Sequence, residues 1–463
     1  MNACRTALEL ALAQAPFYRS WRSLDPGPDA PVARRFAALP VTTKRDLRSH
    51  MPHGFTHRPS ELKAALAAGA VELVSTSGTT DDRSSVLWHQ PWWDASEHAA
   101  AGLHAGLAEV LARAPHEVVL TNPLCGATVC HVGDLPMAER TLGRLLFLNQ
   151  QPDPNRWTAA ECDRMIDEIN RFQPELLEAD PAYLAILARY AAAQDRAVHA
   201  PRFITLTYEF PARAQLRQIR RAFPGVPLVS SYGSTETGHV LTACECGSFH
   251  QNTDSCRIDF QPLRSVHGQP HTGRILVTAI NHPWLSLVRF EPGDLVRLAD
   301  AGTNGVSSNG GASSASPSWR RRAPPSSSGA DGAVGNMHAP CPCGRREGLT
   351  VAAIAGRTRD LTFTTAGAAV TVDQLDAATG EIENLLAYQL EQTGRDDYTF
   401  RFVSEAGAEA CVQDAALAFL TQLYGPDARI TTRRESVISP EQSGKFRLAR
   451  TTFAWEQSEL FDA

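Results

Sequence analysis

Between residues 70 and 230, short apolar runs of strand length alternate with longer stretches of helical period. The runs include Glu117–Leu120, Leu145–Leu148 and Phe203–Leu206. The helical stretches include Ala95–Ala112, Ala160–Phe172 and Pro181–Ala193. Strands joined by crossover helices pair in parallel and need helices packed over them, so the alternation predicts an α/β architecture with a largely parallel sheet. From 256 to 298 the pattern turns β-rich, with Arg274–Thr278 and Leu285–Phe290 as expected strands. Residues 1–70 read as helices and loops, with Thr42 or Thr43 as a helix N-cap. After about Arg357 a smaller α+β unit is expected, with helices near 372–394 and 412–424. A chain of 463 residues is too long for one core. The expected division is 1–355 and 356–463.

Residues 299–336 differ from their surroundings. Gly, Ser, Ala, Asn and Pro dominate, and apolar residues are nearly absent apart from Val306, Trp319 and Val334. Such a segment buries too little apolar area to offset its ordering entropy, and is read as a disordered insert. Arg320-Arg321-Arg322 within it reads as a solvated charge cluster.

Composition excludes several classes. Charged residues make up 20% and hydrophobic residues 43% of the chain, a soluble globular balance, and the net charge is −6. That charge gives no reason to expect nucleic acid or a membrane surface as partner. No apolar run has transmembrane length, and Glu9 interrupts the apolar N-terminal stretch, so no signal peptide is read there. Ten cysteines in this length do not make a disulfide scaffold, and a reduced, cytoplasmic setting is expected.

The chemistry-bearing motifs come in a fixed order. Val74-Ser75-Thr76-Ser77-Gly78-Thr79-Thr80 sets five hydroxyls around one glycine after an apolar lead-in. A turn of this kind can wrap an anion with hydroxyl and backbone N–H donors, although ordinary loops share the composition. Ser231-Tyr232-Gly233-Ser234-Thr235-Glu236-Thr237-Gly238 follows a strand-like run, and Arg289-Phe290-Glu291-Pro292-Gly293-Asp294-Leu295 closes a β segment. Gly356-Arg357-Thr358-Arg359-Asp360 marks the turn into the last unit, and Ser443-Gly444-Lys445 lies near the C-terminus. Two Cys-x-Cys-Gly knuckles, Cys244-Glu245-Cys246-Gly247 and Cys341-Pro342-Cys343-Gly344, lie 341 − 244 = 97 positions apart, with His250 after the first. Their thiolates could ligate a structural Zn²⁺, with five candidates for four positions: Cys244, Cys246, His250, Cys341 and Cys343.

In these motifs the chain resembles the adenylate-forming superfamily of acyl-CoA synthetases, and within it the phenylacetate–CoA ligase and coenzyme F390 synthetase group. The group-level likeness lies in Pro16-Phe17-Tyr18, Leu39-Pro40-Val41-Thr42-Thr43-Lys44 and Cys341-Pro342-Cys343-Gly344. It spans about residues 15–455 without the insert. The resemblance implies a large adenylating domain with a β-rich subdomain and a small mobile C-terminal α+β domain. It implies ATP and Mg²⁺ as cofactors, an aromatic carboxylic acid as substrate and CoA as second substrate. A carrier-protein thiol or an amine is the alternative acceptor, and a non-catalytic ATP-binding protein the rival of another class. A homodimer is left open. The likeness also favours zinc at the cysteine knuckles.

The residue roles follow from the same resemblance. Ser75, Thr76, Ser77, Gly78, Thr79 and Thr80 would hold the β- and γ-phosphates. Tyr232, beside Gly233, would pack on adenine, and Glu209 in Thr207-Tyr208-Glu209-Phe210 would line the adenine pocket. Thr235 would bond the α-phosphate and Glu236 would ligate Mg²⁺. Asp294 would take both ribose hydroxyls, and Arg357 would contact ATP or else cap the small domain. Lys445 would act on the carboxylate and α-phosphate. The C-terminal domain would turn about Arg357–Asp360, bringing the backbone at Gly367 towards the incoming thiol. Cys125, Cys130 and His131 stand where relatives shape the acyl pocket. Three departures stand out: Asp81-Asp82-Arg83 follows the phosphate loop where Gly-Lys or Gly-x-Pro is usual, Arg359 replaces an acid, and the insert at 299–336 is far longer than the connection the family needs there.

Overall fold

A computed structural model describes residues 2–75, 84–123, 133–267, 271–299, 341–455 and 460–461. The phosphate loop beyond Ser75, the Asp81-Asp82-Arg83 tripeptide, Cys125, Cys130, His131 and all of the expected insert except Ala299 lie outside those residues.

Among the described residues twelve strands form one mixed sheet, with Thr141–Leu142 at one edge antiparallel to Leu145–Phe147. Leu145–Phe147, Glu117–Leu120, Leu176–Ala179, Phe203–Leu206 and Leu228–Ser234 pair in parallel. Beyond Leu228–Ser234 every pairing is antiparallel, through Gly238–Ala243, Phe249–Gln251, Thr350–Arg357, Asp294–Leu298, Thr272–Ala279 and Cys256–Pro262. The parallel half is covered on both faces, as parallel sheets require. Val118, Leu120, Leu146, Leu177, Ala179, Ile204 and Leu206 pack under the helices Ala159–Phe172 and Pro181–Ala193. Leu176, Val229 and Phe203 face the opposite way, towards Ala101, Leu107 and Leu111.

Local chemistry sets several boundaries. Asp180 caps Pro181–Ala193 by accepting from the amides of Ala182 and Tyr183, with Pro181 in the first turn. Thr43 and Asp46 form a reciprocal capping box at Lys44–His50, a contact worth about 1 kcal/mol. The expected helix Ala95–Ala112 is instead two helices, Gln90–Ala101 and Ala105–Leu111, broken at Gly102 and restarted by a His104 cap. Leu285–Phe290 forms only isolated bridges, at Leu285 with Thr56 and at Phe290 with Thr42 and Val277. Its apolar residues are buried against the N-terminal helices rather than in a ladder.

A second, four-stranded sheet is built from Leu385–Gln392, Asp397–Ser404, Arg429–Arg434 and Ala449–Thr451, with the helix Glu409–Tyr424 against it. The helix expected over 372–394 ends at Thr379, and Leu385–Gln392 is a strand. Gly380 follows the helix and Asn384 turns the chain at φ +61°. This C-terminal part packs on the helix Arg213–Ala222, where Arg213 N–H donates to Asp376 and Arg217 and Gln218 donate to the carbonyls of Ile382 and Leu386.

Candidate active site

The strand Leu228–Ser234 is where parallel pairing gives way to antiparallel, and the motif Tyr232–Gly238 sits at its C-terminal end. Open α/β sheets bind ligands at such switch points, off the carboxyl ends of the strands. The motif forms a tight hairpin. A Cβ on Gly233 would lie 2.4 Å from the Gly238 carbonyl oxygen, so the two chains approach as closely as they do only with glycine there.

Ser75, Glu209, Tyr232, Gly233, Thr235, Glu236, Asp294, Arg357 and Lys445 all line one cleft of about 1960 Å³. The Tyr232 hydroxyl donates to Asp294 Oδ2 at 2.8 Å, and Arg357 Nε lies 3.3 Å from Asp294 Oδ1. Ladder register explains the second contact, because Asp294 and Arg357 are paired residues on adjacent strands. Burial, and then the Asp294 charge, push the Tyr232 phenol well above its usual range. Burial works to lower the Arg357 pKa, but the Asp294 and Asp360 carboxylates outweigh it and the net shift is upward. Glu236 is buried in the same wall.

Lys445 enters from the opposite side on the loop after Ser443. Its Nζ lies 3.4 Å from the Tyr208 carbonyl oxygen, while the neighbouring Phe446 N–H donates to Glu209 Oε1 at 2.7 Å. The loop is seated by Asn122 Nδ2, which donates to the Ser443 carbonyl at 3.1 Å, and by the Tyr183 hydroxyl, which donates to the Gly444 carbonyl at 3.2 Å. Burial pushes the Asp180 carboxyl up to about 7, against its helix-cap amides and the Lys445 ammonium, which pull it down. Burial also raises Glu209 well above the carboxylate range, helped by Asp180 and opposed by Lys445. The lysine therefore stands between two carboxyls in a poorly solvated corner, where its charge interacts strongly.

Sequence reasoning missed Asn122, Asp180, Tyr183 and Tyr208. An Asp-Pro step at a strand-to-helix junction was the available signal for Asp180. Tyr208 adopts φ +72°, a strained backbone for an aromatic residue. At the turn after Arg357, Asp360 lies between two arginines. Arg447 Nε donates to Asp360 Oδ1 at 2.5 Å, and Arg359 lies 3.9 Å from both Asp360 and Glu441. Gly367 is not among the cleft-lining residues. It turns the hairpin between Thr362–Phe363 and Ala369–Val370 with open space around its Cα.

The five candidate metal ligands resolve into four. The ligand atoms of Cys244, His250, Cys341 and Cys343 lie within 4.8 Å of one another, while Cys246 is exposed and outside the set. Cys244 and Cys341 Sγ are 3.7 Å apart, far beyond a disulfide bond. Tetrahedral bonding at ~2.3 Å would set two sulfurs about 3.8 Å apart. Cys343 Sγ is 3.3 Å from His250 Nε2, and His250 Nδ1 is 3.3 Å from Thr350 Oγ1, a contact that fixes the ring. Three thiols and one imidazole at these spacings fit a zinc ion.

No protein-family model matches the chain, and no curated protein matches it in sequence. Among the described residues no helix is long and apolar enough to cross a membrane. Solved structures do match. The crystal structure of 2-hydroxyisobutyryl-CoA ligase in the postadenylation state with 2-HIB-AMP aligns with TM-score 0.65 and 14% identity, over 97% of this chain and 88% of that one. The same ligase with R3-HIB-AMP gives 0.64 and 15%, over 97% and 88%. Its open conformation with 2-HIB-AMP and CoA gives 0.51 and 16%, over 98% and 90%. The chain therefore shares the fold of the adenylate-forming acyl-CoA ligases.

Proposed function

We propose that this protein activates a carboxylic acid with ATP as an acyl-adenylate and passes the acyl group to CoA. The observation that carries the reading is the seating of Lys445 in the same cleft as Tyr232, Thr235, Glu236, Asp294 and Arg357. A carboxylate acylates poorly because oxide is its leaving group. Attack of its oxygen on the α-phosphorus of ATP forms a C–O–P linkage and expels pyrophosphate, giving an acyl group whose later leaving group is AMP. Two anions must approach, so positive charge and hydrogen-bond donors are needed where they meet.

Lys445 would bridge the acid carboxylate and the α-phosphate, and Thr235 would donate to the latter. Asp294 would exchange its bond from Tyr232 for the ribose hydroxyls, with Arg357 keeping its place beside the carboxylate. Ser75 and the loop to Thr80 would take the terminal phosphates. Glu236 offers a carboxylate oxygen suited to Mg²⁺, whose charge would offset that of the phosphates. Zinc at Cys244, His250, Cys341 and Cys343 would be structural, joining the segment after Gly238–Ala243 to the start of Thr350–Arg357. Alignment with the postadenylation state of the related ligase, at 0.65 against 0.51 for its open form, supports an orientation that presents Lys445 to the acid. The narrower proposal is an aromatic acid, supported by Trp93 and Phe147 in the cleft wall.

Pyrophosphate release from a panel of acids tests this, followed by detection of acyl-CoA on adding CoA. Lys445→Ala is expected to slow pyrophosphate release about 100-fold or more. It should affect thioester formation from preformed adenylate far less. Adenylate without acyl-CoA would reassign the acceptor, and no pyrophosphate from any acid would sink the reading.

A further inference from the structure

Three carboxylates not yet given a role act on one another, and one of them, Glu178, lines the cleft. Glu178 pairs in register with Val119 on one side and Thr205 on the other, while Glu117 pairs with Leu176. Alternation along the strands puts Glu117, Glu178 and Thr205 on one face of the sheet. That face is covered by Gln90–Ala101, whose Glu97 lies one turn beyond Trp93, and the Trp93 ring is 4.7 Å from that of His239. The carboxylates act on one another: Glu178 raises the pKa of Glu97, and Glu178 and Glu97 raise that of Glu117.

Among the described residues no side chain hydrogen-bonds or ion-pairs with the carboxylates of Glu97 and Glu117, and that of Glu178 has only the Tyr208 hydroxyl. Burial, followed by mutual repulsion, pushes Glu97 up to about 8 and Glu117 well above the carboxylate range. Two neutral polar atoms nearby are also unsatisfied. Thr205, only 7% exposed, has a buried Oγ1 without a partner on the same face as Glu178, and His239 Nε2 is buried without one. A buried polar atom with nothing to bond is uncommon and calls for a missing partner. The cluster is not a chelate, since its oxygens do not draw within 4.8 Å of one another as the Cys/His ligands do. A small divalent cation needs shorter spacings.

We propose that Glu97, Glu117 and Glu178 form a subsite for an organic ammonium group, and that the acid bound here carries a protonated amine remote from its carboxylate. This rests on the adenylation reading for the position of the carboxylate. An ammonium group brings three N–H donors and a charge, restoring ionisation of carboxyls that are otherwise costly to keep charged. Thr205 Oγ1 supplies a further acceptor. Tyr208 sets the length: its carbonyl receives Lys445 and its hydroxyl holds Glu178. The two charged ends of the acid are thus separated by about the span of one tyrosine side chain, which suits one ring or a short chain.

The test compares matched acids on the full chain, by calorimetric binding and by pyrophosphate release. The pairs are 4-(aminomethyl)benzoate with 4-methylbenzoate, and 5-aminopentanoate with pentanoate. The cationic member of at least one pair should bind about ten-fold more tightly or better, with a matching gain in kcat/KM. Glu178→Gln and Glu97→Gln should each shrink that preference several-fold. Equal or weaker binding of both cationic acids overturns the subsite, whichever acids release pyrophosphate. A binding preference without pyrophosphate from any acid supports the subsite and overturns adenylation instead.

Discussion

Asn122 Nδ2 donates to the carbonyl oxygen of Ser443 at 3.1 Å, joining positions 321 residues apart. The next residue, Gly444, has φ +79°, and a Cβ built on it would lie 1.5 Å from that same Asn122 nitrogen. A side chain at residue 444 would have to strain the loop backbone and push Asn122 off the Ser443 carbonyl. Gly444→Ala should therefore slow pyrophosphate release nearly as much as Lys445→Ala although the lysine remains, while Ser443→Ala should do less. A near-normal rate in a folded Gly444→Ala protein, judged by its thermal melt, would show that adenylation does not use this seating.

The metal-ligand geometry separates Cys246 from its neighbours. Elemental analysis of purified protein should find one zinc per chain. Cys246→Ser should keep it, whereas Cys244→Ser and Cys343→Ser should lose it. Chelation should lower the melting temperature by several degrees, as expected for loss of about 1–2 kcal/mol or more in a chain of this size. Zinc loss from Cys246→Ser with retention in Cys343→Ser would reverse the assignment.

The buried carboxylates give stability a pH dependence of definite sign. Burial raises Glu97 to about 8, so the folded state holds a proton that the unfolded chain releases near the ordinary carboxylate range. Its contribution is fully present below that range and is lost as pH rises through about 8. Urea midpoints should fall between about pH 5 and about pH 9, and Glu97→Gln should reduce that fall. A variant with an undiminished fall would place the titration elsewhere.

Legibility followed the range over which each signal acts. The helical stretch Pro181–Ala193 is a helix with the bounds read. Glu117–Leu120 and Phe203–Leu206 were likewise readable as strands, because covered parallel strands must be apolar. Leu285–Phe290 carried the same apolar signal for another reason, burial against the N-terminal helices, and misled. Over 372–394, apolar residues continued past Gly380, and the change from helix to strand at Leu385 was missed. Among site residues, the motif around Tyr232 and the aspartate at 294 were locally visible. Glu97, Glu117 and Glu178 were not, since each lies in an ordinary element and only strand register and a covering helix bring them together.

Leu298 pairs with Val351 across adjacent antiparallel strands, so the chain departs from the sheet and rejoins it at neighbouring points. Both ends of the intervening stretch are fixed by ladder bonds, and Cys341 and Cys343 add a side-chain tie to Cys244 and His250 just beyond it. Residues 300–340 thus bridge a gap that the strands have already closed. Loop length costs only about (3/2)RT ln n in closure entropy. The connection is therefore a seam in the polypeptide, a place where added length costs the closed sheet little.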